Sequence, residues 1–449
     1  MTQDLPRSPT ADMDAAVAHD RAGRLAEAEQ LYADIVRRDP KNLDAAHRLG
    51  LVQLRQGRAE AAEASFARAL QIAPNHANAM VNRGTALKAL KRLDEAEACY
   101  RAALALEPGH GAAIRNLGIL FNLLGQHEEA LAAADLALTS SRHAEGFIAR
   151  GDALYGLGRF DEALASFLEA AKLSTQPYEP LVKTAIARAA LRQYPEALAL
   201  LDKAVALRPD EQLAYYQRAS IRLLTCDFEG GWRDFEHRWR NEAFVASSSA
   251  TVSPQVREHL DLRLGIQDVS GQRVLLVSEQ GIGDQVMFAS MIPDLAAAAA
   301  SVTCVCDHRL VGLFSNSFEG AKFVDPGAAN LSRSAFDKVV AIGSLGHIFR
   351  NRVEDFPGTA YLRPRPQVAE RWAARLGPRP QGLRIGLSWR GGTPGTAASQ
   401  RSLALAQFTP LLGLPDCQFV SLQYGDATAE VQAVNSGLSS KIRIFPASD

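Results

Sequence analysis

The stretch LDAAHRLGLVQLRQGRAEAAEASFARALQIAPNH (residues 43–76) is followed at once by ANAMVNRGTALKALKRLDEAEACYRAALALEPGH (residues 77–110). Prolines recur with the same spacing of 34 residues, at Pro40, Pro74 and Pro108. A fourth related proline, Pro209, lies 101 residues further on, a gap that fits three more units of similar length. A fixed period of this size indicates an array of structural repeats.

Small and aromatic residues recur at fixed offsets within each unit. Glycine recurs in the first predicted helix, at Gly50, Gly84, Gly118 and Gly151. Alanine recurs early in the second, at Ala28, Ala62, Ala96, Ala130, Ala163 and Ala197, and a ring follows four residues later, at Tyr32, Phe66, Tyr100 and Phe167. The pattern resembles the tetratricopeptide repeat, a pair of antiparallel helices. Small residues let two helices approach, the ring fills the gap beside them, and proline ends the second helix.

One helix pair cannot bury its own apolar face, so the pairs must stack. We count six repeats between residues 9 and 210, of which the fourth and fifth lack the terminal proline. A seventh, degenerate unit follows in LAYYQRASIRLLTCDFEGGWRDFEHRWR (residues 213–240). The sequence therefore predicts an α-solenoid, a tetratricopeptide superhelix, over residues 9–242.

A superhelix of this kind has a concave groove, which we expect to bind a peptide or protein partner. Asn82 and Asn116 lie one helix pair apart and are candidates for hydrogen bonds to a peptide backbone. Two alternatives stay open. The array only spaces or dimerises the chain, and the two asparagines are solvated or bond within the array.

Composition narrows the class of protein. The chain has 449 residues, 47% hydrophobic and 22% charged, which is enough to form large cores. Its net charge of −1 is not the strongly basic charge that is typical of nucleic-acid-binding proteins, so we expect no nucleic-acid partner. No membrane span is expected because no run of 18 apolar residues exists. The first residues, MTQDLPRSPTADMD, lack the pattern of a secretory signal, so we expect a cytoplasmic location.

The cysteines and histidines offer no metal or disulfide framework. The five cysteines are scattered and odd in number, which argues against a set of disulfides. Cys304 and Cys306 lie in the alternating run SVTCVCD, where we expect buried strand residues. The ten histidines show no zinc-binding spacing, so no metal is expected.

The period changes after Asn241, where the small and polar run AFVASSSATVSPQ predicts a linker over residues 243–270. Predicted strands then alternate with helices at residues 285–299 and 309–316. The strands are RVLLVSE (273–279), SVTCVCD (301–307), AKFVD (321–325) and FDKVVAIG (336–343). This alternation predicts a parallel sheet with helices on both faces, in a first α/β lobe over residues 271–365.

A second, shorter α/β lobe is predicted over residues 366–449. It begins with the helix PQVAERWAARLG (366–377). Two strands follow, RIGLSWRGG (384–392) and CQFVSLQYG (417–425), with a helix beginning near Leu405 between them and the start of another strand in KIRIF (441–445).

The turn EQGIGDQVM (279–287) directly follows the first strand of the first lobe. Gly281 and Gly283 match two glycines of the dinucleotide-binding fingerprint, but Val286 stands where the third glycine belongs, and no P-loop lysine follows. Asp284 lies beyond the carboxyl end of a strand, where ligands of open α/β sheets bind. It is either a catalytic base or a residue that caps the following helix.

The wider sequence resembles one enzyme family. SEQGIGDQVMFASMIPDL resembles the glycine–glycine–aspartate turn of the heptosyltransferase-like glycosyltransferases, and GLSWRGG, RSLALAQFTPLL and FVSLQYGD resemble their second lobe. CDFEGGWRDFEHRWR resembles the element that joins repeats to the catalytic lobes in repeat-containing members. The resemblance covers about residues 9–449. It implies the GT-B fold, two Rossmann-like lobes around a cleft, and sugar transfer from a nucleotide-sugar substrate without metal or cofactor.

The resemblance also implies roles for particular residues. Asp284 corresponds to the general base that takes a proton from the acceptor hydroxyl, and Gly281 and Gly283 keep the wall beside it thin. The donor-side residues are Ser388, Arg390, Gly391, Gly392, Arg401 and Gln423. There, backbone N–H groups and guanidinium groups would hold the leaving diphosphate, and Gln423 would line the cleft. Alternatively, the two arginines are surface charges and the glutamine only closes a strand.

The sequence departs from this family in one respect. Members carry a later block resembling D-T-x-x-A-H that binds the donor nucleotide, and this sequence has none. We therefore expect a truncated form, a second lobe completed by a partner, or a protein that has lost catalysis.

Three functions follow from these patterns. The first is a glycosyltransferase that modifies a polypeptide bound by the repeats, such as a bacterial surface or appendage protein. The second is a non-catalytic adaptor with a degenerate α/β part. The third, weaker one is transfer to a lipid-linked or free glycan.

Overall fold

The computed structural model describes residues 9–240, 244, 259–262, 264–327, 333–378, 380, 382–391, 402–437 and 442. The chain forms two compact units. The first comprises Met1–Asp307 and Gly320–Gly358, and the second comprises His308–Glu319 and Thr359–Asp449. The domain limits predicted from the sequence stay a prediction.

Seven helix pairs form the N-terminal part of the first unit. They are α1 (Pro9–Arg21) with α2 (Leu25–Arg38), α3 (Leu43–Arg55) with α4 (Ala59–Ile72), α5 (Ala77–Ala89) with α6 (Leu93–Leu106), α7 (Gly111–Leu124) with α8 (His127–Ser140), α9 (Ala144–Gly156) with α10 (Phe160–Leu173), α11 (Tyr178–Ala190) with α12 (Tyr194–Leu207), and α13 (Gln212–Leu224) with α14 (Phe228–Phe235). A short 3₁₀ turn, Glu236–Arg240, follows. The predicted helical repeat array, including its degenerate seventh unit, is confirmed.

Glycine–ring contacts hold the helices of three repeats together. The pairs are Gly50 with Phe66, Gly84 with Tyr100 and Gly151 with Phe167. A Cβ atom on Gly84 would lie 2.6 Å from the Tyr100 ring, and that tyrosine is fully buried. Because interiors are close-packed, a methyl group at such a position has no room.

The fourth repeat packs differently. Ala134 stands at the ring position, and a Cβ atom on Gly118 would meet only Ala149, at 3.3 Å. A cavity of about 510 Å³ lies between α6 and α8, with Phe121 of α7 in its wall and the exposed Leu136 at its side. The ring of the neighbouring repeats is therefore replaced here by an alanine that is itself buried.

A four-stranded parallel sheet follows the repeats in the first unit, as predicted. Its strands are β1 (Arg273–Val277), β2 (Ser301–Val305), β3 (Ala321–Val324) and β4 (Lys338–Ala341), in the order β3-β2-β1-β4. The helices around it are α15 (Ile266–Val269), α16 (Ile282–Ala289), α17 (Ile292–Ala298) and, after β4, the helix Leu345–Phe349. The strand order reverses between β1 and β4, which is where ligands bind in open α/β sheets.

The structure corrects several limits predicted for this sheet. The single helix expected over residues 285–299 is two helices, because Pro293 lacks an N–H and begins a new helix. The strands end two or so residues earlier than expected. Within the segment predicted as a linker, Asp261 pairs with the edge of β4: its N–H donates to the Val339 carbonyl at 2.8 Å. Cys304 and Cys306 are buried free thiols, as expected.

A buried ionic cluster joins the last repeat to the sheet. Arg238 Nη2 donates to Glu279 Oε1 at 2.8 Å, and Nη1 donates to Glu236 Oε1 at 2.8 Å. Glu279 Oε1 also accepts from the Gly343 N–H at 3.1 Å, and Ser344 Oγ donates to Glu236 at 3.0 Å. All three charged side chains are at most 2% exposed.

The second unit is a smaller α/β assembly. Its elements are α18 (His308–Ser317), α20 (Pro366–Leu376), β5 (Arg384–Leu387), α21 (Thr409–Leu412), β6 (Gln418–Ser421) and α22 (Thr428–Asn435). The label α19 belongs to the helix Leu345–Phe349 of the first unit, which lies between α18 and α20 in the chain. Strands β5 and β6 pair in parallel. Asn316 Nδ2 of α18 donates to the Arg363 carbonyl at 2.8 Å.

Both strands of the second unit are shorter than predicted, and their buried core includes Phe419 and Trp389. The strand expected at 441–445 lies outside the described residues except for Ile442. The described part of the second unit contains one strand pair, and the GT-B fold stays a prediction.

We expect Gly84→Ala to destabilise the protein by about 1–3 kcal/mol, since overpacking outweighs the better helix propensity of alanine. Thermal unfolding of the full chain measures the effect. Gly118→Ala is the matched control, because its new methyl group meets a methyl group and no ring. An equal loss in both variants would contradict the glycine–ring account.

Arg238→Met should cost about 3–5 kcal/mol of stability, because it leaves two buried carboxylates without their cation. Chemical denaturation of the full chain measures this loss. Arg233→Met removes an arginine from the same segment whose ion pair with Glu229 is largely exposed, so it should unfold like the wild type. Similar midpoints for both variants would show that the buried cluster adds nothing.

Candidate functional site at the first strand–helix turn

The turn after β1 has a sharply constrained backbone. Gln280 adopts a left-handed conformation with φ of 63°, which is uncommon for a residue other than glycine. Gly281 is the N-cap of α16, in an extended conformation. Conformations of this kind persist only where the surrounding structure holds them, and they cluster at functional sites.

Asp284 lies in the first turn of α16, at the carboxyl edge of the sheet. Its Oδ2 accepts a hydrogen bond from the Gly281 N–H at 3.2 Å, so the carboxylate does cap the helix. No described residue donates to Oδ1. One oxygen therefore fixes the orientation of the carboxylate, and the other remains able to accept a proton or a hydrogen bond.

Open space lies beside the two glycines of the turn. Both are exposed, and a Cβ atom on Gly283 would have no heavy atom within 4 Å. A Cβ atom on Gly281 would approach only Asp284 Oδ2, at 3.5 Å. The backbone here thus leaves room for another molecule.

Two buried polar side chains next to the turn, Glu279 and Gln285, support its conformation. Glu279 lies immediately before Gln280, in the ionic cluster with Arg238. Burial raises the pKa of Glu279, and the guanidinium opposes that rise. Gln285 is also buried: its Nε2 donates to the Gln280 carbonyl at 3.4 Å, and its Oε1 accepts from the Asp307 N–H at 3.1 Å.

Sequence reasoning did not single out Glu279, Arg238 or Gln285. One signal was present, because a glutamate that directly continues the apolar run RVLLVS must find a cation when it is buried. The sequence does not say which of the chain's many arginines supplies that cation.

The donor-side residues predicted in the second unit form a hydrogen-bonded loop. Gln423 Oε1 accepts from the N–H groups of Trp389 and Arg390, at 3.0 and 2.8 Å, and Gln423 Nε2 donates to the Arg390 carbonyl at 3.1 Å. The Gly391 N–H donates to Ser402 Oγ at 3.3 Å. Three backbone donors of this loop are therefore already engaged within the protein.

The remaining candidates in the second unit differ in placement. Ser388 is exposed. Arg390 is partly exposed, and its Nη2 donates to the Asp426 carbonyl at 3.2 Å while its Nε lies 3.6 Å from Glu430 Oε2. Gly392 and Arg401 lie outside the described residues.

The two asparagines predicted to bind a partner bond within the array. Asn82 Nδ2 lies 2.9 Å from His47 Nε2, and Asn116 Nδ2 donates to Thr85 Oγ1 at 3.3 Å. Both side chains stay half-buried. Their contacts therefore connect neighbouring repeats, and a role in partner binding stays a prediction.

Two classes of feature are absent from the described part of the chain. No group of three or more His, Cys, Asp or Glu side chains there is arranged to hold a metal ion. None of the helices described combines the length and the apolar character that crossing a bilayer requires.

Comparison with known families agrees with the helical part. Models described as "Tetratricopeptide repeat" match residues 3–77, 53–117 and 144–176. The helix pairs and these matches together define the N-terminal part as a tetratricopeptide-repeat array, which an α/β region with a parallel sheet follows.

A curated relative extends the comparison. Protein FlbA of Caulobacter vibrioides is 28% identical to this chain, over 55% of this chain and 49% of FlbA. The chain therefore spans about half the length of the curated relative that it matches.

Three solved structures are similar to part of this chain. A tetratricopeptide repeat protein from Parabacteroides merdae matches 56% of this chain and 96% of its own, at 19% identity and a TM-score of 0.45. PilF of Pseudomonas aeruginosa matches 47% of this chain and 97% of its own, at 18% identity and a TM-score of 0.39. YrrB, described as a repeat protein with an unusual peptide-binding site, matches 41% and 95%, at 22% identity and a TM-score of 0.30.

Gln423→Ala should release the loop after β5. The N–H groups of Trp389 and Arg390 lose their acceptor, so we expect both amides to exchange with deuterium at least several-fold faster. Hydrogen exchange resolved by NMR or mass spectrometry measures this. Gln407→Ala is the control, because Gln407 accepts from the Ala404 N–H elsewhere in the same unit. Unchanged exchange in Gln423→Ala would show that the side chain does not hold the loop.

Proposed function

We propose that the protein transfers a sugar from a nucleotide-sugar donor to a polypeptide bound by its repeat array, with Asp284 as the general base. The observation that carries this proposal is the position of Asp284. Its carboxylate lies beyond β1, beside the point where the strand order reverses, and one of its oxygens has no donor among the described residues. A carboxylate at that edge of a sheet suits a ligand-directed role.

In the proposed reaction, the carboxylate of Asp284 acts as a proton acceptor only during sugar transfer. Asp284 Oδ1 would accept the acceptor's hydroxyl proton as the hydroxyl oxygen bonds to the anomeric carbon of the sugar. The bond between that carbon and the diphosphate breaks in the same step, and the diphosphate leaves with the electron pair. Charge neutralisation of the departing diphosphate by Arg390 and Arg401 stays a prediction of the sequence resemblance.

The repeat array would bind the polypeptide that accepts the sugar. Its last repeat and the sheet that carries Asp284 belong to one compact unit and share the Arg238 cluster. A polypeptide bound along the array would therefore be held by the same unit as the proposed base.

The proposed domain limits are those predicted from the sequence. They are the repeat array over 9–242, a linker over 243–270, and α/β lobes over 271–365 and 366–449.

A specific observation favours a second candidate, a non-catalytic adaptor. The N–H groups of Trp389, Arg390 and Gly391 are bonded to Gln423 and Ser402, although they were expected to hold phosphate. Engagement of these three described donors within the protein suits a structural role. In this alternative the array binds a partner, and the α/β part is a rigid platform.

Substitution of Asp284 separates catalysis from capping. Asp284→Asn keeps an oxygen that accepts from the Gly281 N–H but cannot take a proton, so we expect native stability and loss of transfer by at least a hundredfold. Transfer is measured as donor hydrolysis or as a mass shift of a polypeptide acceptor. Asp268→Asn is the matched control, because Asp268 Oδ2 caps the Gly265 N–H at 2.8 Å at the opposite edge of the sheet.

A panel of nucleotide sugars distinguishes the two candidates. The enzyme should show a higher melting temperature with at least one donor at millimolar concentration, because a ligand that binds only the folded state stabilises it. The adaptor should show none. If Asp284→Asn transfers the sugar as fast as the wild type, the role of Asp284 is only to cap the helix.

A further inference from the structure

Leu136 on α8 is an unusual residue for its place in the repeat. Its side chain is 71% exposed, the largest exposed fraction of any described leucine. A leucine held in water at a position that faces solvent adds nothing to the core of its own repeat. At the repeat spacing of 33 or 34 residues, the corresponding positions in the neighbouring repeats carry charged or small residues, namely Arg68, Ala102, Glu169 and Lys203.

An apolar cavity of about 510 Å³ lies beside Leu136. Its lining includes Leu117 and Phe121 of α7, which are buried, and Ala105 of α6 and Ala132 of α8, which are exposed. Small side chains at the surface and larger apolar ones beneath them leave a space that can accept a leucine side chain from another molecule.

The corresponding place two repeats earlier is polar. Arg68 stands there at the position of Leu136, and its Nε donates to the Pro40 carbonyl at 3.4 Å. Both residues line a cavity together with Glu63, whereas Pro108, the counterpart of Pro40, lines the apolar cavity. The same junction between repeats is therefore lined by charges in the second repeat and by apolar side chains in the fourth.

The border of the apolar cavity carries one charge of each sign. Arg101 is on α6 and Glu129 is on α8. Arg101 Nε donates to Glu97 at 2.8 Å, and the guanidinium lies 5.4 Å from the centre of the Phe121 ring. Glu129 is exposed and forms no ion pair with any described residue. The two helices that border the cavity thus present opposite charges.

We propose that this face binds a second copy of the chain about a two-fold axis, with Leu136 of each copy in the cavity of the other. A protruding leucine and a cavity lie side by side, so two copies form the same contact twice. The axis also brings α6 of one copy opposite α8 of the other, so Arg101 and Glu129 face each other as unlike charges. This dimer is independent of the proposed sugar transfer.

The mass of the full chain in solution tests the proposal. Sedimentation equilibrium at micromolar concentrations should show a monomer–dimer equilibrium. Leu136→Glu should raise the dimer dissociation constant at least tenfold, because each dimer loses two buried leucines. Glutamate is compatible with the fold at this position, since the next repeat carries Glu169 there. An unchanged far-ultraviolet circular dichroism spectrum verifies that the variant is folded.

Two further variants separate the cavity from a general effect of surface charge. Ala105→Trp fills the cavity from its exposed wall and keeps Leu136, so it should also weaken the dimer at least tenfold. Leu224→Glu is the matched control, because Leu224 is 65% exposed on α13 and does not line the cavity. It should dimerise like the wild type.

Reversal of the border charges tests the two-fold arrangement. Arg101→Glu and Glu129→Arg should each weaken the dimer several-fold, because like charges then face each other. The double variant restores unlike charges and should dimerise more tightly than either single variant. A double variant weaker than both would overturn the arrangement.

The remaining outcomes are equally clear. A monomeric wild type, or Leu136→Glu and Ala105→Trp variants that dimerise like the wild type, would overturn the proposal. A mass that grows with concentration beyond the dimer would overturn the two-fold axis, because head-to-tail contacts do not close. A donor-induced rise in melting temperature should persist in Leu136→Glu, and its absence from the wild type would count against the enzyme and not against the dimer.

Discussion

The structure of the first unit depends on one buried arginine. Arg238 lies in the short turn that ends the repeat array, and its side chain is 2% exposed. Removing such a charge from water costs several kcal/mol, and it is tolerated only when counter-charges and hydrogen bonds surround it. Glu236 and Glu279 supply the counter-charges, and the rings of Phe235 and Trp239 cover the guanidinium at 4.2 and 5.1 Å. The counter-charges come from both the repeat array and the sheet, so the cluster is complete only when the last repeat packs on the sheet.

The buried cluster around Arg238 also supports the turn that carries Asp284. Glu279 Oε1 accepts hydrogen bonds from both Arg238 Nη2 and the Gly343 N–H, just beyond the ends of β1 and β4. The next residue, Gln280, is held in its left-handed conformation. Below the turn, the rings of Trp232 and Phe235 from α14 pack against Phe288, one helical turn after Asp284. The repeats and the proposed base are thus parts of one packed core.

The sequence predicted the repeats well because each repeat depends on contacts close in the chain. Gly84 and Tyr100 are within one unit, and the same spacing returns with each period, so a single pattern reports many contacts. The parallel sheet was also predictable, because Val274 to Val277 form an unbroken apolar run. Pro293 marks the break between two helices, but the apolar spacing around it continues and concealed that break.

The contacts that hold the candidate site were not predictable in the same way. Arg238 and Glu279 are 41 positions apart, and Glu236 and Ser344 are 108 apart. No periodicity links such positions, and the chain has 49 lysines and arginines that could have served as the cation. Gln423 was singled out for its place after a strand, but only the folded loop shows that its amide joins the backbone of Trp389 and Arg390. The position of a site residue can thus be inferred locally, whereas its supports depend on the tertiary fold.

Capping and catalysis by Asp284 are compatible because a carboxylate has two oxygens. The bond from the Gly281 N–H occupies Oδ2 and orients the group, while Oδ1 has no donor among the described residues. A base held in this way loses little conformational freedom when an acceptor hydroxyl arrives. Proton transfer to the carboxylate would become favourable as the hydroxyl oxygen bonds to carbon and its proton becomes acidic. The same hydrogen bond that caps the helix would therefore hold the carboxylate in place for the proposed reaction.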